Sequence, residues 1–159
     1  MNTAHLAHWP AGLPLTLTVP QTSLATNLAI SALRYPDKTA LVFFEWQISY
    51  RDLQAQVDAM AAHLQQVCQV RRGDRVLLHM QNCPQFVIAF YAILRADAMV
   101  VPLNPMLMTE ELRHTVADSG AMVAITAQEL IPRWLPLLAE TSLQHVVMAT
   151  YSDCLPAPA

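Results

Sequence analysis

Apolar residues recur along this chain in two rhythms. Leu53, Val57, Met60, Leu64 and Val67 return at three- and four-residue steps, the spacing of one helical face. Ser49-Tyr50-Arg51-Asp52 just before them has the spacing of a capping box closed by Asp, so a helix is expected from there to about Cys68. Upstream, Ser23 can cap a helix to about Leu33, with Leu24, Leu28 and Leu33 roughly on one face. Tyr35-Pro36-Asp37-Lys38 ends it as a turn, and Thr39–Phe44 with Gln47–Ser49 reads as a short hairpin.

From Arg75 the second rhythm takes over: short apolar runs alternate with helical stretches. Arg75–Met80, Met99–Val101, Met122–Thr126 and His145–Ala149 read as strands. Between them, Asn82 is the expected cap of a helix over Gln85–Arg95 with Pro84 in its first turn. That helix is apolar nearly all round and should be buried. Thr109 is the expected cap of the next, with Glu110 and Glu111 in its first turn and Gly120 just past its end. A third helix is expected over Glu129–Ala139. Strand starts about 23 residues apart suit βα units with short loops. The expected class is α/β, a mostly parallel doubly wound sheet with flanking helices, preceded by a helix and a short β-hairpin. Residues 1–21 read as an irregular lead-in, 22–150 as the α/β body and 151–159 as a frayed tail closed by Pro156 and Pro158.

Pro102-Leu103-Asn104-Pro105 is scaffold by this reading. Pro102 cannot donate to a sheet ladder and stops the strand, and Asn104 before Pro105 is pushed to an extended conformation. The stretch carries the chain off the sheet toward Thr109.

Composition removes several function classes. A length of 159 residues fits one domain. Hydrophobic residues make up 54% and charged residues 13%, which leaves a membrane protein, a very buried α/β domain or a piece of something larger. The longest strictly apolar run, Phe86–Leu94, is nine residues, well short of the ~20 that a spanning helix needs. Residues 1–22 hold Pro10, Pro14 and Pro20 and no Lys or Arg, unlike a secretory signal. Cys68, Cys83 and Cys154 are odd in number without C-x-x-C spacing, as expected of reduced thiols in a cytoplasmic protein. A net charge of −3 with scattered Lys and Arg gives no footprint for nucleic acid. Glycine decides most: Gly12, Gly73 and Gly120 stand far apart, so no glycine-rich phosphate loop exists here.

Six short motifs occur in order: Ser49-Tyr50-Arg51-Asp52-Leu53, Gly73-Asp74-Arg75-Val76, Asn82-Cys83-Pro84-Gln85-Phe86, Val101-Pro102-Leu103-Asn104-Pro105, Glu111-Leu112 and Asp118-Ser119-Gly120-Ala121. Over roughly residues 22–150 their spacing resembles the N-terminal part of the adenylate-forming enzymes, most like a bacterial fatty-acid–CoA ligase. The resemblance implies a larger enzyme that uses ATP and Mg2+ to form an acyl-adenylate from a fatty acid and passes the acyl group to CoA. The phosphate loop, the Tyr-Gly-x-Thr-Glu segment, the ribose-binding aspartate and the C-terminal lysine of that family correspond to nothing within this chain. It is therefore expected to be inactive alone, with no catalytic residue, metal ligand or cofactor of its own. The expected partners are the rest of the synthetase polypeptide and a second copy through an exposed apolar face. The expected location is cytoplasmic, membrane-peripheral for the complete enzyme. Asp97 departs from the family, which commonly has Gly there; a polar turn residue can hold the position.

Arg95 is the candidate binding residue. The resemblance implies contact with a CoA phosphate, for which a guanidinium is well shaped; the plainer alternative is a cation favoured at a helix C-terminus. Cys83 at a helix start is either a thiol of lowered pKa or a buried packing group. Glu110 and Glu111 are adjacent, hence on different helix faces, and read as first-turn acids. The histidines at 5, 8, 63, 79, 114 and 145 show no metal-ligand spacing. Arg71 and Arg72 read as a solvated turn and the eight methionines as core filling. Two other functions stay open: a stand-alone, non-catalytic α/β interaction or small-molecule-binding module, and an unrelated flavodoxin-like domain.

Overall fold

In a computed structural model that describes residues 4–154, the chain forms a parallel sheet, a hairpin and helices packed on both sheet faces. Helix α1 spans Leu24–Arg34, and the hydroxyl of its cap Ser23 accepts from the Thr26 N–H. Strands β1 (Thr39–Phe43) and β2 (Trp46–Ser49) pair antiparallel. Ser49 ends β2 and caps α2 (Tyr50–Gln66), accepting from the Asp52 N–H at 3.1 Å while its hydroxyl donates to the Asp52 carboxylate at 2.6 Å. One serine thus closes the hairpin and starts the helix.

Strands β3 (Arg75–His79), β4 (Met99–Pro102), β5 (Val123–Ala127) and β6 (His145–Ala149) form a four-stranded sheet in the order β4-β3-β5-β6, all parallel. The chain leaves the central β3 through α3 (Pro84–Arg95) to β4, then crosses through α4 (Thr109–Ser119) to β5 on the other side. Two-residue alternation divides the sheet between two cores. Val76, Leu78, Val123 and Ile125 pack with Leu64 of α2 and Ala92 and Ile93 of α3. Leu77 and Ala124 face the other way, onto Leu112, Val116, Trp134 and Leu137. A third cluster, Leu28, Ile48, Leu53, Val57 and Ile88, joins α1 and the hairpin to α2 and α3.

Three boundaries differ from expectation. The cap of α3 is Cys83 rather than Asn82, because Pro84 occupies the first helical position. Thr109 is the first residue of α4 and Met108 its cap; the Glu111 carboxylate reaches back to accept the Met108 N–H at 2.8 Å. The helix expected over Glu129–Ala139 is broken into a 3-10 turn at Gln128–Leu130, α5 (Ile131–Trp134) and α6 (Leu137–Glu140). Pro132 and Pro136 lack the N–H groups a continuous helix would need. α3 is also less enclosed than its apolar sequence suggested: Phe86, Val87, Phe90 and Tyr91 are only partly buried. After β6, Tyr151–Cys154 form a 3-10 turn; the rest of the expected tail, 155–159, lies outside the described residues, as do residues 1–3 of the lead-in.

Candidate functional site

In an open parallel sheet, ligands usually enter the crevice at the carboxyl ends where the chain reverses direction across the sheet. Here that crevice lies between β3 and β5, and side chains fill it. His79, Thr126 and Trp134 are each fully buried there. The Thr126 hydroxyl donates to the His79 carbonyl at 2.8 Å. The Trp134 indole N–H donates to His79 Nδ1 at 3.0 Å, the rings meeting edge to face. An indole nitrogen can only donate, so Nδ1 must present its lone pair and the proton sits on Nε2. His79 Nε2 then donates to the Asn104 carbonyl at 3.2 Å. Burial pushes the His79 pKa below its ordinary value; Arg133 pushes the same way, and the Asn104 carbonyl works against both. A neutral imidazole with both nitrogens engaged has no lone pair or proton free for a substrate.

The Pro102–Pro105 stretch is thereby a strap across the sheet end. The Leu103 N–H donates to the Leu78 carbonyl at 2.9 Å, and Asn104 Oδ1 accepts the Met106 N–H at 2.9 Å. Arg133 fixes the far side: its guanidinium donates to the Pro105 and Leu107 carbonyls at 2.7 and 2.9 Å. His79, Trp134 and Arg133 went unmarked in the sequence, although His79 carried a signal: a polar side chain ending an apolar strand run must find partners if buried.

Arg95 sits at the opposite end of the sheet. It is the last residue of α3, is exposed, and its Nε donates to the Asp58 carboxylate at 3.0 Å. The second Asp58 oxygen accepts from the Gln54 amide at 3.0 Å, while Gln54 Oε1 is buried without a hydrogen-bond partner. These side chains, with Thr26, Ala29 and Leu33, line a groove of about 720 Å³ between α1, α2 and the end of α3. A phosphate reaching Arg95 would meet a guanidinium whose Nε already donates to Asp58.

The other candidates resolve simply. Cys83 is buried, and its thiol pKa is pushed up by burial although the Phe86 and Gln85 N–H groups pull it down. Glu110 pairs with Arg113 at 3.3 Å, and Arg113 also reaches Glu140, tying α4 to α6. Arg71 and Arg72 are exposed in the turn before β3, where the Asp74 carboxylate accepts the Arg71 N–H at 2.7 Å. Near Cys83, the Tyr151 hydroxyl donates to Glu129 at 2.6 Å; its pKa is pushed up to about 12 by burial and by that carboxylate. The Gln85 amide donates to the Thr150 carbonyl at 2.6 Å, which ties the chain after β6 back to α3.

These features define an α/β scaffold whose sheet end is closed by its own side chains. The profile of the AMP-binding enzyme family matches residues 28–158, and the chain belongs to that family. It is 34% identical over 154 residues to a long-chain-fatty-acid–CoA ligase of Bacillus subtilis, covering 96% of this chain and 27% of that protein. It is 32% identical over 158 residues to the ligase of the same name from Yersinia pestis, covering 99% and 28%. This chain therefore spans little more than a quarter of the length of these curated relatives. Its fold resembles a long-chain-fatty-acid–CoA ligase from Archaeoglobus fulgidus, with a TM-score of 0.77 and 24% identity over 92% of this chain and 32% of that one. It also resembles the N-terminal domain of FACL13 from Mycobacterium tuberculosis, with a TM-score of 0.71 and 25% identity over 82% and 33%.

Proposed function

We propose that this chain is the N-terminal portion of an ATP-dependent fatty-acid–CoA ligase and serves in it as a scaffold that does no chemistry alone. Residues 22–150 make up the partial α/β domain. The remaining polypeptide supplies the groups that hold ATP and Mg2+, form the acyl-adenylate and pass the acyl group to CoA. The observation that carries this reading is the closed crevice: His79, Trp134, Thr126 and the Asn104 carbonyl satisfy one another where an open α/β sheet would receive a nucleotide. The closure also counts against a flavodoxin-like reading, which needs that crevice free.

Adenylation rests on positioned donors around the phosphates, and nothing in residues 4–154 gathers them. The purified 159-residue chain should show no ATP–pyrophosphate exchange with a fatty acid above a protein-free blank. Exchange above that blank would overturn the reading. In the complete enzyme, Arg95 approaches a phosphate of CoA in competition with Asp58. An Arg95→Ala enzyme should show a raised KM for CoA with kcat little changed; an unchanged KM ends that assignment.

The reading places the protein in the cytoplasm, membrane-peripheral in the complete enzyme; no helix among the described residues is long and apolar enough to cross a membrane. Exposed Leu33, Val42, Phe44, Met106 and Met108 leave apolar surface for the rest of the polypeptide or a second copy, which favours a part of a larger assembly over a self-sufficient module.

A further inference from the structure

His79 joins two pieces of chain at its two ring nitrogens, and one more proton would treat them differently. Nε2 donates to the Asn104 carbonyl of the strap, and Nδ1 accepts the Trp134 N–H of α5. A second proton can enter only at Nδ1. The bond to Asn104 then becomes charge-assisted and strengthens. At Nδ1, by contrast, two N–H groups would face each other across 3.0 Å, and the indole has no acceptor to offer.

The groups around the ring repeat this division. Burial opposes the second proton most, and Arg133 of α5 opposes it too. The Asn104 and Pro105 carbonyls of the strap favour it, as does Glu129 in the 3-10 turn before α5. β5 contains no titratable side chain and contributes only the Thr126 hydroxyl, bonded to the His79 carbonyl. An imidazolium is thus accepted by the strap and rejected by α5.

α5 is built to yield separately. It is four residues long, Ile131–Trp134, and lies between the 3-10 turn and Pro136, which has no N–H to extend it. On either side Leu130 and Leu137 are buried in different clusters and anchor the chain. Between those anchors Trp134 is the one buried residue. The Arg133 side chain, bonded to the Pro105 and Leu107 carbonyls, tethers α5 and limits its movement. We propose that His79 is an acid-sensitive latch: its second proton tightens the strap on β3 and releases Trp134 from the crevice. Burial of the indole ring opposes that release, so the open form is a minor population whose size follows pH. The inference rests on the same closed crevice as the scaffold reading and adds the condition that opens it. Its test involves no ATP, so its failure leaves that reading to the exchange assay.

Hydrogen exchange by NMR on the 159-residue chain, read as protection factors between about pH 5 and pH 8, tests the latch. In the wild type the Trp134 indole N–H should lose protection below about pH 6.5, by up to about tenfold per pH unit as one proton requires. The Leu103 amide, which holds the strap on β3, should stay better protected than the indole at every pH. The side chain of His79→Gln can accept and donate but does not titrate, so its indole protection should stay level. Circular dichroism verifies the fold of that variant. Level protection in the wild type, the same fall in His79→Gln, or equal protection of the indole and the Leu103 amide overturns the inference. A wild-type His79 ring whose nitrogen shifts titrate at or above about pH 6.5 also overturns it, whether or not the variant folds.

Discussion

A fully buried histidine at the end of a strand is tolerated only while both ring nitrogens have partners, and His79 has them in Trp134 and the Asn104 carbonyl. Protonating Nδ1 would turn the acceptor facing the Trp134 N–H into a second donor. Because the folded pKa lies below the ordinary value, the unfolded chain binds this proton more readily. The contribution to stability is complete above the unfolded pKa of about 6.5 and is lost as pH falls through the lowered folded value. Urea midpoints at several pH values should therefore fall over that window for the wild type and fall less for His79→Leu; equal slopes would show that His79 does not couple to folding. At pH 8 the same substitution should cost about 1–3 kcal/mol, since it strands the Trp134 donor. Asp97 is the second residue whose role is local. It adopts φ 58°, a left-handed conformation that most side chains resist and glycine enters freely. Its carbonyl accepts the Gly73 N–H at 2.9 Å, joining the start of β3 to the end of α3. Asp97→Gly should change stability by less than about 1 kcal/mol, and Asp97→Val should cost about 1–2 kcal/mol more than Asp97→Gly, read from urea midpoints.

At the scale of elements, periodicity revealed most of the architecture and proline chemistry the points where periodicity misled. The helical repeat of Leu53, Val57 and Leu64 and the short apolar runs gave α2 and all four parallel strands within a residue or two, because each depends on one buried face. The stretch Glu129–Ala139 read as one helix; backbone donors missing at Pro132 and Pro136 divide it. The sheet-end network was less legible still. Joining His79 to Trp134 spans 55 positions and joining it to Asn104 spans 25, so each residue looked ordinary in its own neighbourhood. Breaking the long helix has a use here, because it brings Arg133 to the strap. Arg133→Ala should cost about 1–3 kcal/mol by removing charge-assisted bonds to the Pro105 and Leu107 carbonyls. Hydrogen exchange should then quicken at the Met106 and Leu107 amides, which the Asn104 turn protects, before it quickens in β3. Equal acceleration in both would mean that Arg133 supports the whole sheet and not the strap.

On the scale of the whole molecule, the two ends of the chain should contribute unequally to stability. All three apolar clusters draw on residues from Leu28 onward, and every residue from 4 to 24 is exposed. A chain beginning at Thr22 keeps Ser23 as the cap of α1 and loses no residue of those clusters. Denaturant slope follows the surface exposed on unfolding, and an already exposed segment adds little to it. Removing residues 1–21 should thus leave the urea midpoint and slope close to those of the intact chain. Removing residues 145–159 instead strips β6 from β5 and uncovers Ile125 and Ala127, which pack with Val147 and Ala149. That shorter chain should lose a large part of its stability, since exposing core side chains costs about 1.5–3 kcal/mol each. Only the first truncation should preserve the midpoint of the intact chain. If deleting residues 1–21 lowers that midpoint as far as deleting 145–159 does, the lead-in belongs to the folded core.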